Sequence, residues 1–296
     1  MHWAAIQDGL GSIFSLYYKL TNKKCYLKKS ENSYCKALAV RGADSTPIEW
    51  AKNHNNLGST YKELGKKQSS TNYFEKALHS YSQALSILTI TTHPRIWAEI
   101  QNNLGHLFLM LGRKTNANKK YEEAIKSFEN ALKVQSHSKF PIDWADIQNN
   151  LGIVLGALKR HPEAVTAYIE SLKVRTIESS PVEWADTQNN LGVSYKAIGL
   201  NDNNIRCLEL ATTHFSNAAT EYDHSNIKLK YIVAEENLGG VLSILGICKK
   251  DKKLIMRAID SIQKVKAFYK KDIKNNCSLE KADQHLIRLT AELNKL

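Results

Sequence analysis

All five tryptophans of this chain stand in register. Trp3, Trp50, Trp97, Trp144 and Trp184 are spaced 47, 47, 47 and 40 residues apart, and each is followed seven residues later by a Leu-Gly pair. A sixth pair, Leu238-Gly239, lies 47 residues beyond the fifth, with Tyr231 in the tryptophan position. The strongest copies read WAEIQNNLG at 97–105, WADIQNNLG at 144–152 and WADTQNNLG at 184–192. A period of this length marks an array in which each unit buries its apolar face only by stacking on its neighbours.

Each unit reads as two helices. Leu104-Gly105, Phe108 and Leu111-Gly112 place small and apolar residues on one helical stripe, and Ala124, Phe128 and Ala131 do the same for a second helix. Equivalent trios are Ala77, Tyr81, Ala84 and Ala211, Phe215, Ala218. Small residues flanking a ring let two helices approach closely while the ring fills the gap. In the 40-residue unit the trio Ala164, Tyr168, Ser171 lies seven residues nearer its Leu-Gly pair. Seven residues are about two helical turns, so the buried face stays in phase. That unit's second helix is expected to start about two turns late, at His161-Pro162-Glu163.

Pro47, Pro94, Pro141 and Pro181 each precede a repeat tryptophan by three residues, as prolines opening a helix do. Thr46-Pro47-Ile48-Glu49 and Ser180-Pro181-Val182-Glu183 fit the capping box. Gly65, Gly112, Gly199 and Gly246 fall where the first helix is expected to end in a left-handed cap.

Taken together, Leu-Gly, an aromatic three residues on, a second Gly, then Ala, aromatic and Ala in a second helix resemble the tetratricopeptide (TPR) pattern. The nearest variant resembles bacterial TPR proteins with extended P-x-x-W-A-x-x-Q-N-N-L-G units. The units are longer than the common 34 residues, and the tryptophan lies four residues earlier. The first copy departs furthest, with Ser30 for the small alanine and Asp8-Gly9 for Asn-Asn. The resemblance implies an all-α fold: an α-solenoid, a right-handed superhelix of about six TPR-like helix pairs over 1–275, plus a C-terminal capping helix over 276–296. The expected units are 1–46, 47–93, 94–140, 141–180, 181–227 and 228–275. Leu279, Ala282, Leu286, Leu289 and Leu293 form the stripe of the cap, while the chain opens inside a first helix at Trp3.

The resemblance also implies a concave groove lined by first helices that binds a protein or peptide partner. Asn55, Asn102, Asn149 and Asn189 stand two residues before the repeat leucine, a position that faces the groove by this resemblance. A column of amides there offers donors and acceptors to an extended backbone. Hydrogen bonds from helix to helix along the array are the other reading of the same column. A second column, Asn56, Asn103, Asn150, Asn190 and Asn237, is expected to satisfy groups between packed helices. Three residues before the first column stand Lys52, Glu99, Asp146 and Asp186. Lys62 and Lys196 share the groove face, and so does His106, whose other reading is a solvated or packed ring. The acids make the middle of the groove mildly suited to a basic segment, unless they form an ordinary solvated face. The family's carboxylate clamp would need Lys in the first unit's Asn position and a Lys/Arg pair in the third, where this chain has Asn or acids.

No catalytic or cofactor constellation accompanies the repeat. There is no H-E-x-x-H, no zinc-spaced Cys/His set, no P-loop, no G-x-G-x-x-G and no G-x-S-x-G. The sequence therefore reads as a non-enzyme, with no cofactor and no metal. Cys25, Cys35, Cys207, Cys248 and Cys277 read as free thiols of a reducing, cytoplasmic compartment, with Cys207 and Cys248 as core thiols. The longest apolar runs fall short of a membrane span, and the N-terminus lacks a secretory signal.

The formal charge of +12 gathers at the ends. Residues 47–227 hold 19 Lys+Arg against 18 Asp+Glu, residues 1–46 hold 7 against 3, and residues 228–296 hold 15 against 8. Basic ends around Lys19–Lys29 and Lys249–Lys274 open an alternative: an accessory protein that binds nucleic acid non-specifically. The runs lack the interleaved aromatics of a single-strand platform. A third alternative is a repeat array serving a catalytic domain of a larger signalling enzyme.

Overall fold

The computed structural model describes residues 2–273 and 276–296. Met1, Lys274 at the end of the second basic stretch, and Asn275 at the end of the expected array lie outside the described residues. The described residues form thirteen α-helices and one π-helical turn, with no strand. They divide into two compact units, Met1–Val154 and Leu155–Leu296.

The first unit holds α1 (His2–Thr21), α2 (Lys24–Leu38), α3 (Pro47–Gln68), α4 (Thr71–Leu85), α5 (Pro94–Thr115), α6 (Asn118–Leu132) and most of α7 (Pro141–Ala157). Antiparallel pairs α1/α2, α3/α4 and α5/α6 follow one another, with α2 packed on α3 and α4 on α5. The second unit holds α8 (His161–Leu172), α9 (Pro181–Asn201), α10 (Ile205–His224), α11 (Lys228–Lys249), α12 (Lys252–Phe268), the π turn Tyr269–Ile273 and α13 (Asn276–Lys295). There α9 pairs with α10 and α11 with α12, and α13 covers α12.

Two columns of glycine, complete in four of the helix pairs, let the paired helices approach closely. A Cβ on Gly58 would stand 2.8 Å from the Tyr81 ring, and on Gly105 only 2.5 Å from Phe128. Gly11 faces Tyr34 in the same way, and Gly192 faces Phe215. These rings belong to the repeated trios and are buried. In the first two pairs the ring is a tyrosine and the residue after the glycine is a serine that meets its hydroxyl: Ser12 with Tyr34 and Ser59 with Tyr81, each at 3.1 Å.

The second column corrects an expectation. Gly65, Gly112, Gly199 and Gly246 are not left-handed caps, since no glycine among the described residues has positive φ. The helices run past them, and α3, α5 and α11 end instead at Ser69, Asn116 and Lys250, which take the left-handed conformation. These glycines make room for Phe74, Tyr121, Leu208 and Ile255. In the first pair the sizes are exchanged: Tyr18 stands in the glycine position and the smaller Leu27 opposes it, both buried.

Helices α3, α5, α7 and α9 begin at Pro47, Pro94, Pro141 and Pro181. The carbonyl before each proline accepts the first helical bond, as in Trp50 N–H to Thr46 at 2.9 Å and Trp184 N–H to Ser180 at 2.8 Å. The capping boxes do not form: neither Thr46 nor Ser180 makes a side-chain cap bond, and the Thr46 hydroxyl is buried without a partner. Their ψ angles of 64° and 70° depart from the extended geometry that aims a capping hydroxyl at the first turn.

The shortened unit also differs in detail. Helix α8 does start at His161, but the second helices α4, α6, α10 and α12 begin six residues before their trios and α8 only three before its own. The seven missing residues thus come partly from the end of α7 and partly from the start of α8, about one turn from each. Lys159 takes the left-handed conformation between them (φ 62°).

Candidate binding face of the first helices

In the first unit the facing sides of α1, α3 and α5 line a cleft of about 440 Å³. Ser15 and Lys19 come from α1, Asn56, Ser59, Lys62 and Glu63 from α3, and Asn103 from α5. The Lys62 ammonium donates to Asn103 Oδ1 at 2.9 Å. Burial pushes the Lys62 amine below the usual lysine range; Glu63 opposes that shift, and Lys66 and Lys19 add to it. Tyr18 donates to Glu63 at 3.4 Å from the wall of the same cleft. A second contact of the same kind links α5 to α7, where the amide nitrogen of Asn150 donates to His106 Nε2 at 3.2 Å. His106 also sets its ring edge-on to Phe128. Burial, reinforced by Lys62 and Lys66, lowers its pKa to about 3, so the ring is neutral.

The two asparagine columns are used differently, and the second has a use beyond the expected one. The second column does tie helices, through Asn103 and Asn150, but Asn56 and Asn103 also line the cleft. In the first column Asn149 is buried, while the amide oxygens of Asn55, Asn102 and Asn189 are covered and make no hydrogen bond. Lys52 is exposed on α3. Glu99 pairs with Arg95 at 3.5 Å, and burial raises its pKa. Asp146 is half-buried on α7. In the second unit Asp186 is engaged by the Tyr222 hydroxyl at 2.6 Å and by Lys230 at 2.6 and 2.8 Å. That joins α9 to α10 and α11. Lys196 lies against Gly240 of α11, and burial lowers its pKa.

Some polar residues with structural roles were not singled out from the sequence. The repeated glutamine just before the asparagines reaches the second helix of its own pair: Gln101 accepts from Asn130 at 3.4 Å, and Gln188 meets His214 Nδ1 at 2.5 Å. Arg41 is buried between repeats, bonded to Asn53 at 3.1 Å and to Asp8 at 3.3 Å. Asp8 is the residue that replaces asparagine in the first copy, so that departure supplies the carboxylate for Arg41. The recurrence of glutamine in register was one available signal; the arginine had a weaker one, since Arg175 stands at the equivalent position of the 40-residue unit and donates to Thr187 twelve residues on, as Arg41 does to Asn53, while Leu88 and Gln135 break the series.

The five cysteines are free thiols. Cys248 is exposed and Cys207 only half-buried, so Cys248 is not a core thiol. Among the described residues no group of His, Cys, Asp or Glu converges as it would around a metal ion. Against the sequence expectation, α11 reaches the length and mean hydropathy of a membrane-crossing helix. Its Leu238, Val241, Leu242 and Leu245 are buried in one core with residues of α10, α12 and α13.

The sequence model of the family described as SNAP, soluble NSF attachment protein, matches residues 18–185, more than half of the chain. No curated protein matches the chain. Similar solved structures include the STAND-protein ATPase with a tetratricopeptide repeat sensor, PH0952 from Pyrococcus horikoshii, at 14% identity and TM-score 0.60, over 96% of this chain and 43% of that one. PilF of Pseudomonas aeruginosa is 15% identical, TM-score 0.56, over 96% and 99% of the two chains. TTC0263, a thermophilic TPR protein of Thermus thermophilus, is 14% identical, TM-score 0.51, over 77% and 98%. At such identities the likeness extends to the fold, a TPR-like all-α helical repeat.

Proposed function

The chain belongs to the soluble NSF attachment protein family, and from that footing we propose that it is a non-catalytic adaptor that holds a protein partner on the face of its first helices. The single observation that carries this reading is the polar cleft of α1, α3 and α5, where Lys62 and Asn103 meet from consecutive repeats. An ammonium has three protons to donate, and in this half-buried one Asn103 takes one of them. A partner carboxylate or backbone carbonyl seated between Lys19, Lys62 and Asn56 would take others, and the cleft would select a segment with acidic or carbonyl-rich character. In this proposal Lys52 and Glu99 extend the contact along the first unit, and Lys196 lies on the corresponding face of the second. The 47-residue P-x-x-W-A-x-x-Q-N-N-L-G unit is then a lengthened TPR unit. The family's name describes attachment of NSF, which makes an NSF-type protein the first partner to test.

Affinity capture from the native lysate, with and without nuclease, tests this. A protein retained after nuclease by wild type and lost with Lys62→Met/Asn103→Leu supports the cleft. Capture that nuclease abolishes and the double variant leaves intact would move the function to the basic ends.

A further inference from the structure

The cleft of α1, α3 and α5 carries more positive charge than its walls compensate. Lys62 and Lys66 stand one turn apart on α3, so their side chains share one side of that helix, and Lys19 lines the cleft from α1. Lys62 is half-buried, while Lys19 and Lys66 are exposed. Among the described residues none of the three ammonium groups forms an ion pair. Lys62 has only the neutral amide oxygen of Asn103 as acceptor. Glu63, the one acid among the described lining residues, takes the Tyr18 hydroxyl. Where the first helices of the second unit use a lysine to join repeats, the chain supplies the acid: Lys230 of α11 grips Asp186 of α9.

The free protein therefore keeps like charges close together. Burial lowers the pKa of the Lys62 amine, and Lys66 and Lys19 lower it further against the pull of Glu63. The field of Lys62 and Lys66 also reaches His106 and adds to the effect of its burial. Neutral donors complete the lining. With its Oδ1 held by Lys62, Asn103 has its amide nitrogen left to donate, and the Ser15 hydroxyl and the Asn56 amide border the same space.

We infer that this cleft takes the phosphoryl group of a phosphorylated serine or threonine in a partner segment, a refinement that rests on the adaptor reading above. Three ammonium groups less the Glu63 carboxylate leave two positive charges. A phosphorylated side chain brings about −1.5 to −2 at pH 7, whereas an acidic side chain brings a single charge. Three ammonium and three neutral donor groups also suit the three phosphate oxygens better than the two of a carboxylate. The volume of about 440 Å³ leaves room for the modified side chain and its neighbours. Lys62 is recessed between helices, where a flat bilayer does not reach, and a nucleic-acid phosphodiester carries only one charge per phosphate.

Fluorescence anisotropy of the 296-residue protein tests the inference, with a degenerate peptide library that fixes one phosphoserine and matching libraries with glutamate or serine in its place. The expected result is phosphoserine bound at least about tenfold tighter than glutamate, with no measurable affinity for serine. Lys62→Met should weaken the phosphoserine library at least about tenfold. Lys19→Met/Lys66→Met, at two exposed positions where folding is not at stake, should do the same. Equal affinity for phosphoserine and glutamate overturns the phosphoryl assignment and leaves the adaptor reading standing. That reading fails instead if Lys62→Met/Asn103→Leu still captures the partner. Anisotropy unchanged by every library also overturns the inference. So does Lys62-dependent binding only of phosphatidylcholine vesicles carrying a phosphoinositide, of a single-stranded oligonucleotide, or of inorganic phosphate with no gain from the peptide. Those results would assign the cleft to a lipid, a nucleic acid or a free anion.

Discussion

Gly105 and Gly156 are both helical glycines, and the structure gives them opposite tolerances. Alanine at Gly105 places its Cβ 2.5 Å from the Phe128 ring, whereas at Gly156 nothing lies within 4 Å. Overpacking a fixed ring costs ~1–3 kcal/mol, while alanine in an open helical site gains ~0.5–1 kcal/mol. Urea unfolding of Gly105→Ala and Gly156→Ala should therefore move the midpoint in opposite directions. Two half-buried histidines bring a pH dependence. His106 and His54 have pKa values lowered by burial from 6.5 to about 3 and about 4. The unfolded chain takes up these protons below about pH 6.5 while the folded one resists, so stability is fully present above that pH and falls as pH drops toward the folded values. His106→Gln, which removes one titrating ring, should flatten that fall; an unchanged pH profile of the urea midpoint would mean His106 is solvated. The leucines, glycines and rings were legible because they recur in register. That Lys62 reaches Asn103, and Asn150 reaches His106, was not, because such pairs depend on the rotational phase of two helices.

At the scale of the element, helix beginnings were legible and helix ends were not. Proline states its preference in its own covalent geometry, and four helices start on it. Glycine has two uses, a left-handed turn or a close approach, and sequence position alone did not say which applied at Gly65, Gly112, Gly199 and Gly246. The left-handed residues that do end or follow helices include Lys159 and Lys250, which hold a conformation that glycine adopts without a Cβ penalty. Lys159→Gly should accordingly raise the melting temperature, with a gain of about 0.5–1 kcal/mol. The tryptophans pack less deeply than buried rings would. Trp97 and Trp144 are half-buried, and Trp144 sets its ring edge on His137 at 4.8 Å between centroids. Trp144→Ala is therefore expected to cost about 2 kcal/mol, below the 3–5 kcal/mol of a fully buried ring. Chemical denaturation of the variant would show which depth is right.

For the whole molecule, stability should follow the logic of an array, each pair leaning on the next. Helix α13 buries Ala282 and Leu289 against the core that contains Ile255 and Ile262. Ending the chain before residue 277 should expose that core, and the truncated protein should bind a hydrophobic dye and aggregate where the full chain does not. The repeat made the class of fold legible from end to end, since one packing solution is used over and over. The cleft was only partly legible: the family resemblance pointed to the first asparagine column for a groove, while the cleft of the first unit is lined by Asn56 and Asn103 of the second. Exposure of amides on a helix is decided by how far neighbouring helices rotate, and no spacing rule contains that angle. Hydrogen–deuterium exchange of the protein with its captured partner bound tests the central claim most directly. Added protection in α1, α3 and α5 around Lys19, Asn56 to Glu63 and Asn103 is the predicted result. Protection confined to the basic stretches at Lys23–Lys29 and Lys249–Lys271, with the cleft unchanged, would contradict it.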